Sequence, residues 1–206
     1  MSEVAEEGLP NQLPASLSPG ALLTRHVVSH LLVWVVAFCL FAAADSWSSL
    51  TGLAIASLLA VVTGALAGLA TVTLIHEWFH FAGAWLSGGA YTIPAKPGLF
   101  VYDWDFTANS VRQFKLMSVA GSVGGAVGLV LLWSSVPADT SGRAALLAGG
   151  VTSFAFAAAI EWPVLRRTGV SGDPLAELSK IDVSVLLRSL SVGIVAGVIA
   201  WYLLAP

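Results

Sequence analysis

LAIASLLAVVTGALAGLATVTLIHEWFH, Leu53 to His80, ends in three ionisable side chains after a run that contains none. From Leu53 to Ile75 there is no Lys, Arg, Asp, Glu or His. A hydrocarbon layer of about 30 Å is crossed by about 20 apolar helical residues, so this run is long enough to span a bilayer. Ionisable groups at the end of such a helix are costly to hold away from water and mark function by default. In His76-Glu77-Trp78-Phe79-His80 two imidazoles stand at i and i+4, on one helix face, with a carboxylate beside the first. That spacing suits two metal ligands and a general base.

The rest of the chain agrees with a lipid setting. Of 206 residues, 57% are hydrophobic and 10% charged, and the mean hydropathy is +0.85. A water-soluble domain carries about a quarter charged residues. This composition cannot clothe a globule against water, and the lipid bilayer becomes the expected partner. A net charge of −3 with nine basic residues speaks against nucleic acid. Cys39 is the only cysteine, so no disulfide can form within the chain. The acidic, Pro-containing start, residues 1–24, reads as a disordered cytosolic tail with no cleavable signal peptide. Residues 25–206 read as a single transmembrane domain.

The pattern predicts an all-α polytopic membrane protein with about five transmembrane helices. They are expected at about 27–44, 53–86, 114–133, 144–162 and 183–204. The second is long for one crossing, so it should tilt or extend past the interface; Gly64 and Gly68 would permit a bend. Basic residues set the expected orientation. With the N-terminus cytosolic, Arg25, Lys96, Arg112, Lys115, Arg166, Arg167, Lys180 and Arg188 fall on the cytosolic side and only Arg143 falls opposite. The reading is a multi-pass protein of the cell membrane. His76, Glu77 and His80 then lie toward the cytosolic end of the second span, on the same side as Glu161 and Asp173.

Between the second and third spans, Tyr91-Thr92-Ile93 and Leu99-Phe100-Val101-Tyr102 flank a Pro/Gly break and predict a short membrane-associated β-hairpin. Asp103 and Asp105 are expected to face solvent after it. In the third span Gly121, Gly124, Gly125 and Gly128 form two interleaved Gly-x-x-x-Gly pairs, which let helix backbones approach closely in lipid. His26 and His30 repeat the i, i+4 spacing without a following Glu. They read as interfacial residues, with an accessory metal site as the lesser alternative.

The motif continues to Gly88 as HExxHxxxAxxxG, with Ala84 and Gly88 as its small residues. In this the chain resembles the site-2 proteases, intramembrane zinc metalloproteases, over roughly residues 53–181. The resemblance implies a Zn2+ cofactor held by His76 and His80, with Glu77 taking a proton from the metal-bound water. It also implies a membrane-protein substrate with a transmembrane helix. A catalytic zinc commonly takes three protein ligands. The family supplies an Asp followed by Gly near a helix start after a Pro-containing loop. The nearest match, Ser171-Gly172-Asp173-Pro174, implies Asp173 as third ligand, with Pro174 in place of the Gly. Read from the residues alone, the lesser alternative for Asp173 is a helix N-cap with Pro174 at the first helical position, and one carboxylate can do both. Glu161 is the rival ligand, or else a substrate-contacting group where the family often has Asn.

Two other classes fit the residues less well. A non-catalytic membrane scaffold or pseudoprotease with a structural metal site would have no need of Glu77. A di-iron desaturase needs many imidazole ligands, and the chain has four histidines. The leading expectation is hydrolysis of a peptide bond in or near a substrate's transmembrane segment. The hairpin around Ile93 and Phe100 would hold the unwound strand by edge pairing. The loops are too short for an inserted soluble domain, so selectivity falls to the membrane region, the tail or a regulatory membrane partner.

Overall fold

The computed structural model describes residues 17–206. Residues 1–16 of the expected tail lie outside the described residues. The remainder of that tail differs from expectation, because helix α1 (Pro19–Thr51) takes up its last residues. Ser18 explains the early start: its hydroxyl accepts from the Ala21 N–H, and Pro19 occupies the first helical position, where a missing N–H costs nothing.

Five helices are long and apolar enough to cross a membrane: α1, α2 (Ala54–Leu86), α3 (Val111–Ser135), α4 (Ser141–Ser171) and α6 (Val183–Leu204). The short α5 (Pro174–Leu178) joins α4 to α6. The all-α polytopic architecture is thus as expected, with helices that mostly run beyond their expected bounds. Gly52, at φ 65°, ends α1 and reverses the chain within two residues. A capping box of Ser110 and Gln113 starts α3. Thr140 and Asp182 cap α4 and α6.

Helix α2 is one unbroken helix of 33 residues. At 1.5 Å per residue it is about 50 Å long, well beyond the hydrocarbon layer. Gly64 and Gly68 do not bend it. They are the contact with α4: a β-carbon at Gly64 would collide with the Gly142 carbonyl, and one at Gly68 with the Leu146 carbonyl. Gly149 of α4 meets the Ala65 backbone in the same way. In lipid no hydrophobic force drives helices together, so such close backbone approach and interhelical hydrogen bonds hold them. Ala144 to Gly150 of α4 are all buried, and the Thr73 and Ser153 hydroxyls pair at 2.7 Å between α2 and α4. Large apolar side chains point outward instead, among them Leu32, Val130 and Leu203.

Helices α2 and α4 form the centre, with α1 and α3 against α2 and α6 against α4. At the end remote from His76, buried Asp45 of α1 accepts from Thr140 Oγ1 at 2.8 Å and Arg143 Nε at 3.1 Å. This clamp ties α1 to α4. Arg143, the lone basic residue at that end, owes its place to it.

The β-hairpin is present but displaced. Strands β1 (Tyr91–Thr92) and β2 (Asp103–Trp104) pair antiparallel, with Tyr91 opposite Trp104. The expected second strand, 99–102, is loop and bend, because register is set by aromatic packing nearer the helices. Tyr91, Tyr102, Trp104 and Phe106 pack over Ala84, Phe114, Met117 and Val164. Asp103 and Asp105 are exposed, as expected. Asp105 has local work: its carboxylate accepts from the Thr107 hydroxyl and N–H and the Ala108 N–H, which hold its pKa below the usual value.

Candidate metal centre

The two histidines of α2 emerge on the face turned toward α3 and α4. His80 Nδ1–H donates to the Met117 carbonyl at 2.9 Å. That bond fixes the tautomer and leaves the Nε2 lone pair free to bind a metal. Gly121 of α3 makes room for the ring, since a β-carbon there would overlap the His80 imidazole. Gly124 does the same for Phe79, and Gly125 lies against Phe154 and His76. The glycine face expected of the third span therefore does more than bring helices together. It seats the histidines.

The third group comes from α4. Glu161 Oε1 lies 2.7 Å from His76 Nε2 and 2.9 Å from His80 Nε2, while the two Nε2 atoms are 2.9 Å apart. Glu161 Oε2 accepts from Ser122 Oγ at 3.3 Å. Three electron-pair donors at these separations repel one another unless a positive species sits among them. His76, His80 and Glu161 form the one cluster of three or more His, Cys, Asp or Glu side chains among the described residues that could hold a metal ion. Two imidazoles and one carboxylate suit a borderline-soft divalent metal. Ligands of a tetrahedral zinc stand about 3.3 Å apart, so occupancy asks the triad to open by only a few tenths of an ångström.

Asp173 is not part of this cluster, which corrects the expected ligand set. Its carboxylate accepts from the Ala176 N–H at 2.9 Å as the N-cap of α5, and the residue is exposed. The physical reason is the length of α4. Pro163 reads as a helix end, yet α4 continues through it to Ser171. Ten further helical residues carry the chain about 15 Å beyond Glu161 before Asp173 is reached. The N-cap reading of Asp173 holds, and Glu161 takes the place of third donor.

Glu77 is buried beside the cluster and lines the same cavity, of about 460 Å³, as His80 and Glu161. Phe100, Tyr102, Asp103 and Trp104 from the hairpin wall that cavity. Ile93, expected as a substrate contact with Phe100, is not among its walls. No motif marks Tyr102 in the sequence. Burial first, and then the charges of Glu77 and Glu161, push its phenol pKa well up, so it keeps its proton. Ser122 and the Met117 carbonyl carried no motif by which sequence could have found them.

The other pair of histidines has a different task. Trp78 Nε1–H donates to His30 Nδ1 at 3.0 Å, and His30 Nε2–H donates to the Gly98 carbonyl at 2.8 Å. His30 thereby ties α1 to α2 and to the hairpin loop. His26 Nδ1–H donates to the Leu22 carbonyl at 3.1 Å. Both rings are buried, and neither contacts a carboxylate among the described residues.

No protein-family model, curated protein or solved structure matches the chain. Fold and site define a multi-pass helical membrane protein with a two-histidine, one-glutamate cluster in its interior.

Proposed function

We propose that this protein is an intramembrane zinc metalloprotease of the site-2 protease type, with His76, His80 and Glu161 as metal ligands and Glu77 as general base. The observation that carries the reading is the convergence of those three donors, two of which, His80 and Glu161, line a cavity that Glu77 also lines. Charge balance supports a divalent ion, since Glu77 and Glu161 together offset its two positive charges in a medium where net charge is costly. Bound zinc would lower the pKa of water to about 7 and polarise a carbonyl.

The protein's own groups divide the remaining work. Glu77 accepts a proton from the attacking water and returns it to the leaving amine. Tyr102, holding its proton, donates a hydrogen bond toward the developing oxyanion. The outer edge of β2 is unpaired among the described residues and its residues wall the cavity, so an unwound substrate segment would add there as a third strand. The substrate is a membrane protein cut in or near a transmembrane helix. Eight of nine basic residues lie at the His76 end, which supports a reading with that end on the cytosolic side of the cell membrane.

Glu77→Gln tests the reading. Cleavage of a single-span reporter by the purified full chain should fall about 10²- to 10⁴-fold while zinc content is unchanged. Undiminished cleavage would remove Glu77 from the chemistry. A zinc-loaded wild type that cleaves none of a panel of single-span reporters would favour the scaffold alternative.

A further inference from the structure

A second cavity, of about 300 Å³, lies between α4 and α6 on the far side of Ile160 from the candidate metal centre. Arg167, Lys180 and Arg188 converge on it. Glu177 neutralises only part of this charge: it takes Arg167 Nε at 2.9 Å and Lys180 Nζ at 2.8 Å through its two oxygens. The guanidinium Nη groups of Arg167 and two ammonium protons of Lys180 remain to donate. Arg188 enters no hydrogen bond or ion pair among the described residues. Three positive charges against one negative leave the cavity with a surplus of two.

Ser189 is the second, independent observation. It is 3% exposed and lines the cavity, and its hydroxyl is used in no hydrogen bond among the described residues. A helical serine turned from solvent ordinarily bonds the carbonyl four residues back. This one faces the cavity instead. Ala159 is also in the wall, and its carbonyl lacks its helical donor because Pro163 has no N–H. Cations, a hydroxyl donor and a free acceptor make a site for a phosphodiester carrying a hydroxylated head. Along the face of α6 that carries Arg188, one and two turns further into the span, Val192 and Val195 are exposed, where acyl chains would lie.

We propose that this cavity binds the phosphate headgroup of an anionic membrane lipid, one side chain away from Glu161. The site stands independently of the proteolytic reading, and its test needs no cleavage assay. The full chain in detergent would be titrated with phosphatidylglycerol and with phosphatidylcholine, and retained lipid read by native mass spectrometry. Phosphatidylglycerol should be retained preferentially. Arg188→Gln should bind it about fivefold less tightly, the order of one basic group at an anionic surface. Arg188→Lys should retain most of the affinity. Ser189→Ala, which keeps the small packing volume, should weaken binding in the same direction. Arg112→Gln, which removes a cation from the same end of the bundle but outside the cavity, should change nothing. Equal losses in Arg188→Gln and Arg112→Gln would overturn the site in favour of diffuse attraction. Displacement of the lipid by an equal concentration of glycerol phosphate would overturn the lipid assignment in favour of a soluble phosphate.

Discussion

Gly121 shows how much of the site depends on a side chain that is absent. The His80 ring occupies the space that a β-carbon would need, and its Nδ1–H reaches the Met117 carbonyl just below. Gly121→Ala should push the imidazole off that bond. Zinc affinity, measured by competition with a chelating dye, should drop about 10- to 100-fold, as for other groups that orient a ligand, while helix content stays unchanged. His76, Glu77 and His80 stood out in the sequence because one helix carries all three, two imidazoles at i and i+4 with a carboxylate between them, at the end of an apolar span. Glu161 was legible as a candidate and no more. Its choice over Asp173 turned on whether Pro163 ends a helix, which local sequence does not decide. Within a membrane bundle such a freed carbonyl is tolerated where it is buried in protein or lines a cavity, and the helix runs on. His30 is the converse case: the spacing that marks His76 and His80 recurs, but Trp78 and Gly98 claim both ring nitrogens.

Among the elements, the pairing of α2 with α4 is the one that positions the site, since it brings Glu161 to the histidines. Gly68→Ala would set a methyl group against the Leu146 carbonyl and should cost about 1–3 kcal/mol by overpacking. A lower midpoint of thermal unfolding in detergent would register it, and an unchanged midpoint would mean that the helices part without cost. The α4–α6 connection makes a pH-dependent prediction. The Lys180 ammonium and then the Arg167 guanidinium hold the Glu177 carboxyl below the usual value of about 4.3. A carboxyl depressed on folding contributes stability that is complete above its unfolded pKa and is lost as pH falls through the folded one. Hydrogen exchange in α5 should therefore quicken below about pH 4.3, and Glu177→Gln should show the quickened exchange already at neutral pH. Element types and most spans were legible from hydropathy. The strand positions were not, because aromatic packing against α3 and α4, not local β-propensity, sets the pairing of Tyr91 with Trp104.

At the scale of the whole molecule, the polar groups sort to two ends. Asp45, Asp139 and Arg143 close one end of the bundle, while the metal candidates, the hairpin and eight of nine basic residues occupy the other. The apolar middle is held by glycine and alanine contacts that let three helices approach closely enough to bring side chains from α2 and α4 into one cluster, which we propose shares a cation. That sharing is the central claim, and metal content measures it. Purified full chain should carry about one zinc per molecule, as expected of a single site. Asp173→Ala should retain it, and His80→Ala and Glu161→Ala should each lose it. Zinc kept by Glu161→Ala and lost by Asp173→Ala would contradict the assignment.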